Sequence, residues 1–254
     1  MARVALVTGG SRGIGASISK ALKAAGYKVA ANYGGNDAAA EKFKAETGIP
    51  VYKFDVSSFD ACAAGVKKVE ADLGPVDVLV NNAGITRDGA FHKMTQEQWN
   101  SVINTNLGSL FNVTRQVIEG MRSRKFGRIV NITSAAVKSP IEVLGLSNGA
   151  RAGLTGFVAG ISRKTVINNV TINGLLPGPF NTDRVRGPVA KLDADKRGIT
   201  VDQLLAERAK LNPAGRFGDP EEFGQACVFL CGAKSGYITG QNILLDGGAF
   251  PGTL

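Results

Sequence analysis

The first residues that could do chemistry form a glycine-rich run, Thr8-Gly9-Gly10-Ser11-Arg12-Gly13-Ile14-Gly15. The run follows a short β-branched stretch directly and opens a segment of helical period. Glycines there let backbone N–H groups approach a diphosphate, and the helix amino terminus adds positive partial charge. This strand–turn–helix setting makes the run a dinucleotide-binding signature. A second candidate, Gly145-Leu146-Ser147-Asn148-Gly149, fits the nucleophile elbow of serine hydrolases. That chemistry needs a histidine downstream. The one histidine, His92, lies upstream, so a serine hydrolase is excluded. Cys227 and Cys231 sit among Ala226, Val228, Phe229 and Leu230 on a predicted helix. They read as buried small hydrophobes rather than a metal pair, and no metal is expected.

The elements that must position the loop alternate. Buried strands are predicted at 4–7, 28–31, 51–54, 76–80, 128–132, 170–175 and 242–245. Amphipathic helices are predicted at 14–25, 37–46, 58–73, 95–124 with a break near Gly108, 146–163 and 219–231. Asp219-Pro220 supplies a helix cap and a proline at the first helical position. Such alternation implies an α/β fold, a Rossmann-type doubly wound parallel sheet of seven strands with helices on both faces. The whole chain, 1–254, reads as a single dinucleotide-binding domain. Segment 181–212 departs from the rhythm: it is charged, with Gly187-Pro188 and Gly198 as breakers and a helix at 201–210. An insertion at this place is expected to be a lid over the cofactor crevice.

Thirty basic residues against 21 acidic ones give a net charge of +9, which favours anionic partners. The basic residues are scattered without a long single-sign block, which argues against nucleic-acid binding. An odd number of cysteines, three, argues against a disulfide framework and for a reducing compartment. The run 4–7 is too short for a signal peptide, and no apolar run reaches membrane-spanning length, so a cytoplasmic protein without a membrane partner is expected. Asn112-Val113-Thr114 and Asn131-Ile132-Thr133 fit the glycosylation pattern, which carries no meaning in a non-secreted chain.

Further motifs follow the glycine loop in order. They are Asp55 after the third strand, Asn81-Asn82-Ala83-Gly84 after the fourth, Asn106 within Asn104-Thr105-Asn106-Leu107, Ser134 after the fifth, and Pro177-Gly178 after the sixth. With the spacing TGxxxGxG these resemble the short-chain dehydrogenase/reductase family over nearly the whole chain. Residues 1–133 resemble the branch acting on acetoacetyl-CoA and 3-oxoacyl-carrier-protein thioesters. Residues from about 134 onward resemble an atypical branch. The resemblance implies cofactor contacts at Gly9, Ser11, Arg12, Gly13, Ile14, Gly15, Asn32, Asp55, Val56, Asn82, Ala83, Gly84, Arg151, Pro177, Gly178 and Thr182. It also implies a homotetramer packed through helices at 107–124 and 146–163, and a small-molecule or acyl-thioester substrate.

Cofactor choice follows from charge. A carboxylate at the end of the second strand would bond the NAD ribose and repel a 2′-phosphate. That strand runs into Asn32-Tyr33-Gly34-Gly35-Asn36, with no carboxylate before Asp37, and Arg12 is placed to pair with a phosphate. NADP(H) is therefore the expected cofactor.

In the family a serine polarises the ketone, a tyrosine donates the proton, a lysine lowers the tyrosine pKa and holds the ribose, and an asparagine supports a water relay. The resemblance puts Ser134 and Asn106 in the serine and asparagine places. Counting from Ser134 by the family's spacing lands on Ser147 and then Arg151, and no tyrosine lies between Tyr52 and Tyr237. An alkyl alcohol is a far weaker acid than a phenol, and arginine does not give up its proton. His92, Lys138, Glu142 and water are the alternative proton donors. Two functions follow: a reductase of 3-oxoacyl thioesters with an atypical site and weak activity, or a non-catalytic NADP(H)-binding scaffold.

Overall fold

The computed structural model describes residues 2–87 and 89–253. Its strands are β1 (Val4–Val7), β2 (Lys28–Tyr33), β3 (Val51–Lys53), β4 (Val76–Asn81), β5 (Gly127–Ile132), β6 (Val170–Pro177) and β7 (Asn242–Leu245). Its helices are α1 (Gly13–Ala24), α2 (Asp37–Thr47), α3 (Phe59–Leu73), α4 (Gln96–Ile103), α5 (Ser109–Ser123), α6 (Gly145–Thr165), α7 (Pro188–Arg197), α8 (Val201–Lys210) and α9 (Pro220–Cys231). The strands make one parallel sheet in the order β3-β2-β1-β4-β5-β6-β7. The strand order reverses direction at β1–β4, the switch point where open α/β sheets bind ligands at the carboxyl edge.

Alternation along buried strands divides the core in two. Val4 and Leu6 of β1 pack with Val66 of α3, Val113 of α5 and Leu154 of α6. Ala5 and Val7 face the other way, onto Ile18 and Leu22 of α1 and Phe223 and Leu230 of α9. Period-two side-chain direction thus covers both faces with helices. Cys227 and Cys231 belong to this second layer and are fully buried, as expected of small hydrophobes. Asn112 and Asn131 are buried too, which rules out glycosylation there. Among the described residues no helix is long and apolar enough to cross a membrane.

Two expectations are corrected. The helix predicted at 95–124 does not break at Gly108. It widens into a π turn, Asn104–Gly108, and continues as α5 with Gly108 in right-handed helical conformation. One extra residue per turn re-aims the buried Asn106 without ending the helix. Segment 181–212 carries two helices, not one. Pro188 stands at the start of α7, and Gly198 closes it with φ +64°. Residues read as breakers are here the start and stop of a helix. Ala190, Ala194 and Leu204 form a small core between α7 and α8. Arg186–Asp202, Arg197–Glu207 and Arg208–Asp193 ion pairs, at 2.6, 2.6 and 2.8 Å, hold the hairpin together.

At the opposite edge of the sheet, Arg128 is wholly buried. Its guanidinium donates to the carbonyls of Gly127 (2.8 Å), Asn169 (2.8 Å), Gly232 (3.0 Å) and Ala233 (3.2 Å) and to Asn169 Oδ1 (3.1 Å). It thereby ties β5 to the turn before β6 and to the end of α9. Arg128→Met strands several buried carbonyls and is expected to cost about 3 kcal/mol, read as an earlier urea midpoint. An unchanged midpoint would show that water satisfies those carbonyls instead.

Candidate active site

The glycine loop is held from three sides. Asn32, at the end of β2, accepts from Gly9 N (3.3 Å) and donates to Phe54 O (2.9 Å) and Tyr52 O (3.3 Å). Asn82 donates through Nδ2 to Thr8 O (2.9 Å) and Gly9 O (3.1 Å). Thr8 Oγ1 accepts from the backbone N–H groups of both Asn82 (2.9 Å) and Ala83 (3.0 Å). Asn32 is also an expected cofactor contact. Its carboxamide is buried and engaged by backbone, so it braces the loop. Thr8 was not singled out from the sequence, although its place before the first glycine was visible.

The loop fits a diphosphate. Asn36, Ser58 and Asp219 cap α2, α3 and α9 with side-chain hydrogen bonds. Arg12, at the same place before α1, makes no such bond, and the first turn of α1 carries no acid. The leading N–H groups of α1 are thus left to an anion. Gly13 is left-handed (φ +53°), and a Cβ there would meet nothing within 4 Å. The backbone therefore has an open approach on that side. Arg12 is exposed, Ser11 and Ile14 are half-buried, and Gly15 is buried.

The remaining predicted contacts ring the same edge. Asp55 is exposed, and its Oδ1 accepts from Ser57 N and Ser57 Oγ, both at 2.8 Å. The Val56 side chain is buried in the α3 layer. Gly178 N donates to Leu245 O (2.8 Å), which fixes the turn after Pro177, and Thr182 N donates to Phe180 O (2.9 Å).

Ser134 begins a one-turn helix, Ala135–Val137, and its Oγ accepts from Ala136 N (3.1 Å). The amino-terminal part of α6 carries Ser147 and, one turn on, Arg151. Helical period puts both on one face. Ser147 is buried, and among the described residues its hydroxyl makes no hydrogen bond. Arg151 Nη1 donates to Ile132 O (2.7 Å), two residues before Ser134. Its Nη2 lies against Gly84: a Cβ on Gly84 would stand 2.7 Å from Nη2 and 3.1 Å from Asn106 Oδ1. Asn106 in turn grips the next residue twice, accepting from Ile85 N (2.9 Å) and donating to Ile85 O (2.8 Å). Gly84, Asn106 and Arg151 therefore converge beside the strand end that carries Ser134. Burial, then the nearby Arg184 guanidinium, lowers the Arg151 pKa to about 10. Arg151 stays a cation at neutral pH and loses its charge only as pH rises past about 10.

The four tyrosines are elsewhere. Tyr27 OH donates to Cys231 O (2.9 Å), and Tyr52 OH donates to Asp72 Oδ2 (3.1 Å). Tyr33 lies beside Asp37, and Tyr237 is fully exposed on the turn before β7. Of the alternative donors, His92 and Glu142 are exposed, and Lys138 Nζ lies 5.6 Å from the centre of the Phe250 ring.

A family model described as Enoyl-(Acyl carrier protein) reductase matches residues 9–249. The chain belongs to the short-chain dehydrogenase/reductase family. An acetoacetyl-CoA reductase from Shinella zoogloeoides is 53% identical over 252 residues, covering 98% of this chain and 99% of the relative. A 3-oxoacyl-(acyl-carrier-protein) reductase, FabG, from Vibrio harveyi is 35% identical over 252 residues, covering 98% and 97%. A crystal structure of an actinorhodin polyketide ketoreductase variant with NADPH superposes with a TM-score of 0.89 at 30% identity, covering 98% of this chain and 97% of that one.

Asn106→Ala removes both clamps on Ile85. The Ile85 amide is expected to exchange hydrogen at least about tenfold faster, while core strand amides keep their protection. Exchange at Ile85 matching the parent chain would show that the 83–87 segment is held by other contacts.

Proposed function

We propose that this chain is an NADP(H)-dependent reductase of 3-oxoacyl thioesters of the acetoacetyl-CoA kind, working without a phenolic acid. The observation that carries the reading is the meeting of Gly84, Asn106 and Arg151 beside Ser134, at the carboxyl edge that also holds the uncapped glycine loop. The names of the relatives and the NADPH in the superposed structure support the substrate and cofactor classes. When bound, the reduced nicotinamide supplies the hydride.

The chain's own residues divide the rest. The N–H groups of α1 hold the diphosphate, and Arg12 meets the 2′-phosphate. Arg151 donates to ribose hydroxyls and keeps its positive charge beside the reacting centre. Ser134 Oγ donates to the ketone oxygen and orients it. Asn106 keeps the Gly84–Ile85 segment in place. Ser147 is too short and too weak an acid to replace a phenol, so the proton comes from water. The hairpin 181–212 is the lid. The half-exposed Phe111 on α5 and Phe157 on α6 support a homotetramer packed through those helices.

A second reading, cofactor binding without turnover, is favoured by the place of the tyrosines: none of the four faces Ser134. Oxidation of NADPH with acetoacetyl-CoA separates the two readings. Tight NADPH binding with no turnover across several ketones would establish the second. NADPH is expected to bind more tightly than NADH, and equal affinities in a titration would remove Arg12 from its assigned role. Ser147→Tyr combined with Arg151→Lys is expected to raise the reductase rate by ~10²–10⁴, the usual contribution of a general acid. No gain would sink either the assigned positions or the substrate class.

A further inference from the structure

Segment 181–212 holds four arginines: Arg184, Arg186, Arg197 and Arg208. Three of them pair with carboxylates inside the hairpin. Arg184 does not. It crosses from the hairpin to the body of the domain, where its Nη2 donates to Thr86 Oγ1 (3.2 Å). Thr86 lies two residues beyond Gly84, against which Arg151 packs. Ile85 between them is the residue gripped by Asn106. A short, clamped segment thus carries one guanidinium on each side. Among the described residues no carboxylate pairs with either. The two cations repel, and that repulsion contributes to the lowered pKa of Arg151. Like charges held together at the mouth of a cleft are relieved by an anion between them.

We infer that Arg184 and Arg151 form a subsite for an anionic oxygen of the substrate, carried either on the carboxylate of a 3-oxo acid or on a phosphate of coenzyme A. The identity of the ketone rests on the reductase reading; the anion subsite does not. Arg184 donates its free N–H groups to the oxygen, and Arg151 adds charge from behind. The same two charges favour the oxyanion that develops when hydride reaches the carbonyl carbon and the C=O electron pair moves onto oxygen. Water then supplies the proton.

The test uses the full chain saturated with NADP+, so that no turnover occurs. Calorimetry compares acetoacetate, coenzyme A and the uncharged methyl acetoacetate. At least one of the two anions is expected to bind about tenfold more tightly than methyl acetoacetate, with the advantage shrinking as salt rises. Arg184→Gln is expected to remove that advantage and to leave methyl acetoacetate unaffected. Arg197→Gln, which opens an ion pair inside the hairpin, is expected to retain it. Preference for acetoacetate assigns the oxygen to a carboxylate; preference for coenzyme A assigns it to a phosphate. If neither anion outbinds the neutral ester, or if Arg184→Gln binds both like the parent chain, there is no such subsite. Steady NADPH consumption with methyl acetoacetate alongside that negative result overturns the subsite and leaves the reductase reading standing. Anion binding lost in Arg184→Gln, with no ketone consumed, does the reverse.

Discussion

The crevice depends on a knot of hydrogen bonds among Thr8, Asn32 and Asn82. Each side chain bonds backbone on a neighbouring strand end, so β1, β2, β3 and β4 are fixed to one another at the glycine loop. The groups involved are at least partly buried, and in such a setting a missing partner costs more than a made bond gains. A loop with four glycines in its eight residues would otherwise be the softest part of the carboxyl edge. Bracing from the side frees its outward N–H groups of any structural duty. The same division recurs at the substrate end, where Asn106 holds Ile85 so that Gly84 and Thr86 present their other faces to arginines.

Charge in this site differs in kind from that of a phenol and ammonium pair. A phenol can be drawn toward neutral pH and can pass a proton; a guanidinium lowered to about 10 cannot do so at pH 7. What remains is a fixed positive field and a set of donors. Such a site can orient a carbonyl and stabilise charge on its oxygen, and it leaves proton delivery to solvent. Electrostatic stabilisation is often the largest single contribution to catalysis. A site of this kind can serve hydride transfer even where no side chain delivers the proton.

Much of this was legible in the residues. Buried strands announce themselves as β-branched runs, and all seven were found close to their observed bounds because the sheet is covered on both faces. The glycine loop, Gly84, Asn106 and Ser134 were legible from ordered motifs. The bracing role of Asn32 was not legible, because its type suits both a cofactor contact and a backbone brace; its burial and backbone partners reveal the brace. The helix α7 was missed because Pro188 and Gly198 were weighed as interruptions when both stood at its ends. The π turn had no visible signal, since Gly108 is helical there. Arg184 was hidden among other basic residues. Sequence does not say which arginines find acids within their own hairpin and which reach across the cleft.

Ser147 and Arg151 lie one turn apart on the same face of α6, so the size of one bears on the other. Serine takes much less space than a phenol, and arginine takes more than lysine. The Arg151 guanidinium reaches Ile132 O at 2.7 Å and sets Nη2 against Gly84. A Cβ on Gly84 would stand 2.7 Å from Nη2, so any larger residue there would push the guanidinium aside. Tyrosine alone at 147 would place a phenol beside a guanidinium already committed to a backbone carbonyl. Lysine alone at 151 would bring an ammonium with no phenol to tune. Neighbours one helical turn apart that would serve one chemistry are expected to show coupled effects in a double-mutant cycle.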